Sequence, residues 1–234
     1  MEESIRFAKL FDHSILRPSA MRADLLAFAQ TAVTLQTASL TVQPCYVRLA
    51  AQELKGSGVL VGTVVGFPHG NETGSMKRMQ ANEVLDLGAE EIDMVMNIPA
   101  LKNGDKDLFV RDVAGVVEAA GKFKVKVILE NCYLTDEEKR LACDWIAEAG
   151  AAFVKTSTGY AASGATVADV RLMFEAVRGR CQVKAAGGVR QLPEVLEYLK
   201  AGATRFGSTR TDGFVSEFKA LSAEERVRFA PYLP

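Results

Sequence analysis

Two lysines each close a short apolar run and are each followed by small residues: Phe153-Val154-Lys155-Thr156-Ser157-Thr158-Gly159 and Gln182-Val183-Lys184-Ala185-Ala186-Gly187-Gly188. A primary amine at the end of a buried strand can attack a carbonyl carbon, and a second ammonium close by keeps the first partly neutral. An ordinary lysine titrates near ~10.4, so only about one amine in a few thousand is free at neutral pH. Lowering the pKa to about 7 takes roughly 4 to 5 kcal/mol of destabilisation of the charged form, within reach of burial plus a like charge. The chemistry implied is Schiff-base formation. The plain alternative is two exposed lysines in surface ion pairs. The apolar run before each lysine and the small residues after it weigh against that.

A carboxylate stands in a third apolar run, Glu91-Ile92-Asp93-Met94-Val95-Met96-Asn97. Asp93 needs a partner there, and the lysines supply one. It either carries protons or serves only as a counter-ion for Lys184. Asp12 and Ser14, in Asp12-His13-Ser14, are supporting candidates that extend the hydrogen-bond network or hold the first loop.

Such residues must be positioned by strands, and the chain offers eight apolar runs: 8–11, 38–42, 59–65, 91–96, 125–129, 152–154, 181–184 and 204–206. Most read as apolar on both faces, as parallel strands covered on both sides do, and the spacing leaves room for a helix after each. The α/β class and a single-domain (β/α)8 TIM barrel over residues 1–234 follow as the expectation. Gly-Ala steps at 88–89, 150–151 and 202–203 mark helix ends, and Thr135 with Glu138 and Thr166 with Asp169 mark helix starts. On this barrel Asp12, Asp93, Lys155, Lys184 and Gly207 fall at C-terminal strand ends, where barrel enzymes carry their chemistry. Neighbouring strands six and seven would bring the Lys155 and Lys184 Cα atoms to roughly 5 Å.

Glycines and small polar residues follow the last three strands: Gly159, Gly187-Gly188 and Gly207-Ser208-Thr209, with Arg210 next. Backbone amides in those loops often hold a substrate phosphate in barrel enzymes, so a phosphorylated substrate is expected.

Composition narrows the partners. The 234 residues carry 28 Lys and Arg against 29 Asp and Glu, so no basic face for nucleic acid or anionic membrane is implied. The ligand expected is a small molecule. No stretch of eighteen apolar residues is present, and the four scattered cysteines lack a C-x-x-C pair, which suits free thiols in the cytoplasm. With two histidines in the chain a multi-histidine metal site is not expected, which argues against metal-dependent carbonyl chemistry.

The motifs together resemble the deoxyribose-phosphate aldolase family from end to end. The resemblance rests on Asp12-His13-Ser14, Gly66-Phe67-Pro68-His69-Gly70, Glu91-Ile92-Asp93-Met94-Val95, Val127-Ile128-Leu129-Glu130, the two lysine segments and Gly202-Ala203-Thr204-Arg205. It implies a class I aldolase in which Lys155 forms the Schiff base, Lys184 depresses its pKa and Asp93 shuttles protons through water. The implied reaction is reversible cleavage of 2-deoxy-D-ribose 5-phosphate to acetaldehyde and D-glyceraldehyde 3-phosphate, without a cofactor and with a homo-oligomer conceivable. Two segments depart from the family pattern: Thr41-Val42-Gln43-Pro44-Cys45, and Gly207-Ser208-Thr209-Arg210, where an arginine replaces a small residue. Arg210 could contact the phosphate or signal another anionic substrate. A related class I aldolase acting on a different phosphorylated carbonyl, and a non-catalytic phosphosugar-binding barrel, are the other readings.

Overall fold

Eight parallel strands pair in sequence order and close into a barrel, β1 against β8, in the computed structural model, which describes residues 2–234. The strands are β1 (Phe11–Ile15), β2 (Ser39–Val42), β3 (Leu60–Val65), β4 (Glu91–Val95), β5 (Lys124–Ile128), β6 (Phe153–Lys155), β7 (Gln182–Ala186) and β8 (Ala203–Ser208). The helices are α1 (Glu3–Ala8), α2 (Arg22–Leu35), α3 (Val47–Glu53), α4 (Gly74–Asp86), α5 (Ile98–Lys102), α6 (Lys106–Ala120), α7 (Asp136–Glu148), α8 (Val167–Val177), α9 (Leu192–Lys200), α10 (Thr211–Ala220) and α11 (Ala223–Val227). The fold is the expected (β/α)8 barrel. Among the described residues no helix is long and apolar enough to cross a membrane.

Local chemistry fixes the helix boundaries. Thr135 Oγ1 accepts from the Glu138 amide while Glu138 Oε2 accepts from the Thr135 amide at 2.8 Å, a reciprocal cap that opens α7. Thr166 Oγ1 likewise accepts from the Asp169 amide at the start of α8. The three glycines expected past helix ends, Gly88, Gly150 and Gly202, take φ of +109°, +83° and +109°.

The first strand lies later than expected. Residues 8–11 read as a strand from their apolar run, but Phe7, Ala8 and Leu10 are buried as part of α1 and its exit, and β1 begins at Phe11. Phe7 stacks on Phe218 of α10 at 4.2 Å between centroids, so this apolar run serves a helix-helix contact. A short apolar run cannot by itself distinguish the two states.

Alternating strand residues divide the core in two. The side chains of Phe11, Val42, Ile92, Met94, Val127, Val154, Val183 and Phe206 join the hydrophobic core shared with the helices. Burial of each such side chain contributes roughly 1.5 to 3 kcal/mol. The other face departs from the expected apolar pattern: Asp12, Ser39, Thr41, Glu91, Asp93, Lys126, Lys155 and Lys184 are all buried. Instead of the branched aliphatic layers common in such barrels, the interior holds interlocked charges. That interior is the frame of the site.

Candidate active site

Register places Lys155 of β6 directly beside Lys184 of β7, and Asp93 of β4 beside Lys126 of β5. Both lysines then converge on one carboxylate oxygen. Lys155 Nζ donates to Asp93 Oδ2 at 2.7 Å and Lys184 Nζ donates to the same atom at 2.6 Å. Lys126 Nζ donates to Asp93 Oδ1 at 3.1 Å and to Glu91 Oε2 at 2.6 Å. Asp12 completes the ring, with Oδ2 at 2.5 Å from Lys184 Nζ and Oδ1 accepting from Arg205 Nη1 at 2.6 Å and from Ser39 Oγ at 2.8 Å.

Four cationic side chains, Lys126, Lys155, Lys184 and Arg205, therefore face three carboxylates, Asp12, Glu91 and Asp93. Unpaired charge is expensive in such a dry interior. The cluster balances when one lysine gives up its proton, and Lys155 is drawn toward that state. Burial lowers the Lys155 pKa, Asp93 opposes this, and Lys184 and Lys126 lower it further, leaving it at about 8. Burial also acts on Lys126, but Asp12, Asp93 and Glu91 outweigh it and hold that amine above the ordinary lysine range. For Asp93, burial pushes the carboxyl up, yet Lys126, Lys155 and Lys184 together pull it well below the usual carboxylate range. The same contest depresses Asp12, through Lys126, Lys184 and Arg205.

Access separates the two lysines. Both side chains are buried, 4% and 1% exposed, but Lys155 ends its strand and lines an open cavity of about 490 Å³, whereas Lys184 is absent from the cavity wall. The expectation that Asp12, Asp93, Lys155, Lys184 and Gly207 all stand at C-terminal strand ends is corrected accordingly, although Gly207 lines the cavity with Lys155. Asp12 is the second residue of β1, Asp93 and Lys184 are central in β4 and β7, and Gly207 lies inside β8. Of the two lysines, Lys155 alone ends its strand and lines the cavity.

The same cavity is lined by Ser14, Thr158, Gly159, Gly187, Gly188, Gly207, Ser208, Thr209 and Arg210, so the expected anion-binding residues are brought together beside Lys155. Gly187 and Gly188 have φ of +79° and +80°, a turn that side chains resist, which lets the chain double back at the cavity wall. A Cβ on Gly207 would lie 3.1 Å from Ala186 Cβ and 3.4 Å from Lys184 Cε, so glycine there allows close approach to the lysine stem. Ser14 donates to the Asp12 carbonyl at 3.0 Å and shapes the β1 exit. Arg210 is the exception. It lies at the rim, but its guanidinium pairs with Glu217 at 2.5 Å, donates to the Arg190 carbonyl and covers the Phe214 ring at 4.7 Å.

Several participants were not legible beforehand. Lys126, Glu91 and Arg205 set the charge balance, and their one signal was a charged residue inside a central strand, the criterion that singled out Asp93. Glu130 accepts from the Thr158 amide at 3.1 Å and from its hydroxyl, anchoring the loop after Lys155. Thr156 Oγ1 donates to the Ala186 carbonyl at 2.9 Å and accepts from its amide at 3.0 Å, fastening β6 to β7. Of the divergent second-strand segment, Thr41 is buried in the interior and Gln43 Nε2 donates to the Leu16 and Arg17 carbonyls at 3.0 and 2.6 Å. Gln43 thus braces the β1 exit.

The pKa directions give a pH signature. Asp12 and Asp93 have folded-state values below the unfolded carboxylate value of about 3.9. Their contribution is complete above that value and is lost as pH falls through the folded values, so acid unfolding followed by circular dichroism should begin only below about pH 4. Lys155 acts in the same direction at higher pH, because its pKa is also depressed and stability again rises with pH. It holds back stability below about 8 and releases it between there and about 10.4, the unfolded value.

Comparison with known proteins places this geometry in context. Residues 6–216 match the model of the family described as DeoC/LacD family aldolase. A deoxyribose-phosphate aldolase of Streptococcus gordonii is 47% identical over 205 residues, covering 88% of this chain and 93% of that protein. A protein of the same name from Bacillus subtilis strain 168 is 48% identical over 203 residues, covering 86% and 91%. The solved tetrameric deoxyribose phosphate aldolase of Aeropyrum pernix superposes with a TM-score of 0.85 at 30% identity, covering 94% and 93%. The aldolase QR15 superposes with a TM-score of 0.87 at 34% identity, covering 91% and 95%. With its barrel, its paired interior lysines and this breadth of similarity, the chain belongs to the DeoC/LacD aldolase family.

Proposed function

We propose that this protein is a Schiff-base aldolase that reversibly cleaves 2-deoxy-D-ribose 5-phosphate to D-glyceraldehyde 3-phosphate and acetaldehyde, with Lys155 as nucleophile, Lys184 as the perturbing charge and Asp93 as proton relay. The observation that carries the reading is Lys155, the one lysine lining the cavity, with its pKa pushed down to about 8 inside a paired charge cluster. The aldolase relatives support the substrate.

The steps follow from the geometry. Neutral Lys155 adds to the C1 carbonyl of the open-chain sugar, and loss of water leaves a protonated imine. That cation withdraws the electron pair of the C2–C3 bond, which breaks to an enamine as the C3 hydroxyl loses its proton and becomes the aldehyde of the three-carbon phosphate. Protonation of the enamine at C2 and hydrolysis of the imine release acetaldehyde and restore Lys155. Asp93, held well below the usual carboxylate range by three ammonium groups, suits a carboxylate that passes a proton on, through water, and does not store it. The phosphate end fits the loops at Gly159, Gly187-Gly188 and Gly207-Ser208-Thr209, on the same cavity as Lys155.

Lys184→Leu tests the perturbing charge. Removing that ammonium takes away a cause of the depression and leaves Asp93 more available to Lys155, so the Lys155 pKa should rise from about 8 by a unit or more. The ascending limb of the pH-rate profile should move to higher pH by the same amount. Lys184→Arg keeps the charge and should move it less. An unmoved limb in Lys184→Leu would leave burial and Lys126 as the causes.

The deciding assay supplies 2-deoxy-D-ribose 5-phosphate and measures acetaldehyde and D-glyceraldehyde 3-phosphate. Release of both in equal amounts supports the reading. No release, with cleavage of another phosphorylated carbonyl compound, would favour the related class I aldolase instead. A cytoplasmic setting, one domain across the chain and self-association, as in the tetrameric Aeropyrum pernix relative, belong to the same reading.

A further inference from the structure

The Arg210 side chain is half-exposed at the cavity rim and is held there by contacts from two elements. Its guanidinium is bounded by Glu217 on α10, which it meets at 2.5 Å, and by the face of Phe214, at 4.7 Å. A third partner comes from a different element, since Nη1 donates to the main-chain carbonyl of Arg190 in the loop after β7. Gly213 supplies the space. A Cβ at that position would lie 2.8 Å from Arg210 Nη2, 3.2 Å from Nε and 3.3 Å from Cζ. Carboxylate, ring, carbonyl and missing side chain thus all fit one orientation of one arginine. The planar guanidinium can pair, stack and donate at once, which an ammonium cannot.

What these contacts join gives them a function. Arg190 ends the Gly187-Gly188-Val189-Arg190 segment that walls the cavity beside Lys155, and Arg210 immediately precedes α10 after Gly207-Ser208-Thr209, which walls it from the other side. Resting on the reading of this cavity as the anion site, we propose that Arg210 is a positioning residue, clamping the loop after β7 to the start of α10 and setting the width of the anion cavity without touching the anion. The charge of Arg210 is already met by Glu217, so its contribution is geometric. Amide donors aimed at an anion lose their effect when a loop shifts by fractions of an ångström, and the clamp prevents that shift.

Binding of inorganic phosphate, followed by titration calorimetry, separates a clamp from a ligand because the two assign opposite signs to one substitution. If Arg210 were a phosphate ligand held back by Glu217, then Glu217→Gln would free it and also remove a nearby negative charge, tightening phosphate binding. If Arg210 is a clamp, Glu217→Gln should weaken phosphate binding by roughly threefold or more, in the same direction as Arg210→Ala, because loop placement is lost. Gly213→Ala, which crowds the guanidinium while keeping every charge, should weaken it too. With 2-deoxy-D-ribose 5-phosphate the three variants should raise KM more than they lower kcat, and with unphosphorylated deoxyribose KM should stay near that of the wild type. Arg210→Lys should recover little of the loss. Equal or tighter phosphate binding in Glu217→Gln would overturn the clamp alone. A wild-type protein that binds no phosphate would overturn the anion cavity and the clamp with it.

Discussion

Lys155→Ala is expected to lower cleavage of 2-deoxy-D-ribose 5-phosphate by at least about four orders of magnitude, roughly 5.5 kcal/mol of barrier. No other amine lines the cavity deeply enough to replace it, because Lys184 is walled off behind it and Lys126 is fully buried. The fold should survive the change. Removing Lys155 leaves three cations against three carboxylates, and Asp93 keeps Lys184 at 2.6 Å and Lys126 at 3.1 Å. Thermal unfolding should therefore occur at or above the wild-type temperature while turnover is lost. Unfolding well below it would mean that Lys155 supports the cluster more than it serves chemistry.

Asp93→Asn should lower stability as well as turnover. Asp93 accepts from Lys126, Lys155 and Lys184, so neutralising it strands three amines around an amide that cannot offset their charge. Breaking a buried ion pair on one side costs about 3 to 5 kcal/mol, and loss of an acid-base group costs about two to four orders of magnitude in rate. Both losses are expected, read by denaturant unfolding and by kcat. Retained activity with lost stability would reduce Asp93 to a counter-ion. Retained stability with lost activity would mean that the lysines shed protons to compensate.

The barrel could be read from the chain because its signals are local and repeated. Glycine-alanine steps end α4, α7 and α9, threonine caps start α7 and α8, and most strands overlap an apolar run between them. The side-by-side placement of Lys155 and Lys184 followed from strand order alone. The first strand lies later than its apolar run because Phe7, Ala8 and Leu10 are as apolar as a strand while buried in and after α1, where Phe7 packs on α10, and nothing local distinguishes the two uses. The polar interior was missed for a related reason. Lys126, Glu91 and Arg205 come from strands far apart in sequence, and each looks like a stray charge until closure of the barrel sets it against the others. Arg210 was expected at a phosphate because of its place after β8, but its direction is set by Gly213, Phe214 and Glu217, in a helix whose packing the sequence pattern does not disclose.

The most direct measurement is reductive trapping. The wild-type protein is treated with borohydride in the presence of 2-deoxy-D-ribose 5-phosphate, and the modified residue is located by peptide mapping. An adduct on Lys155 and on no other lysine is the result expected from an amine at the cavity wall with a pKa of about 8. An adduct on Lys184, or inactivation without any lysine adduct, would contradict the assignment of Lys155 as the nucleophile.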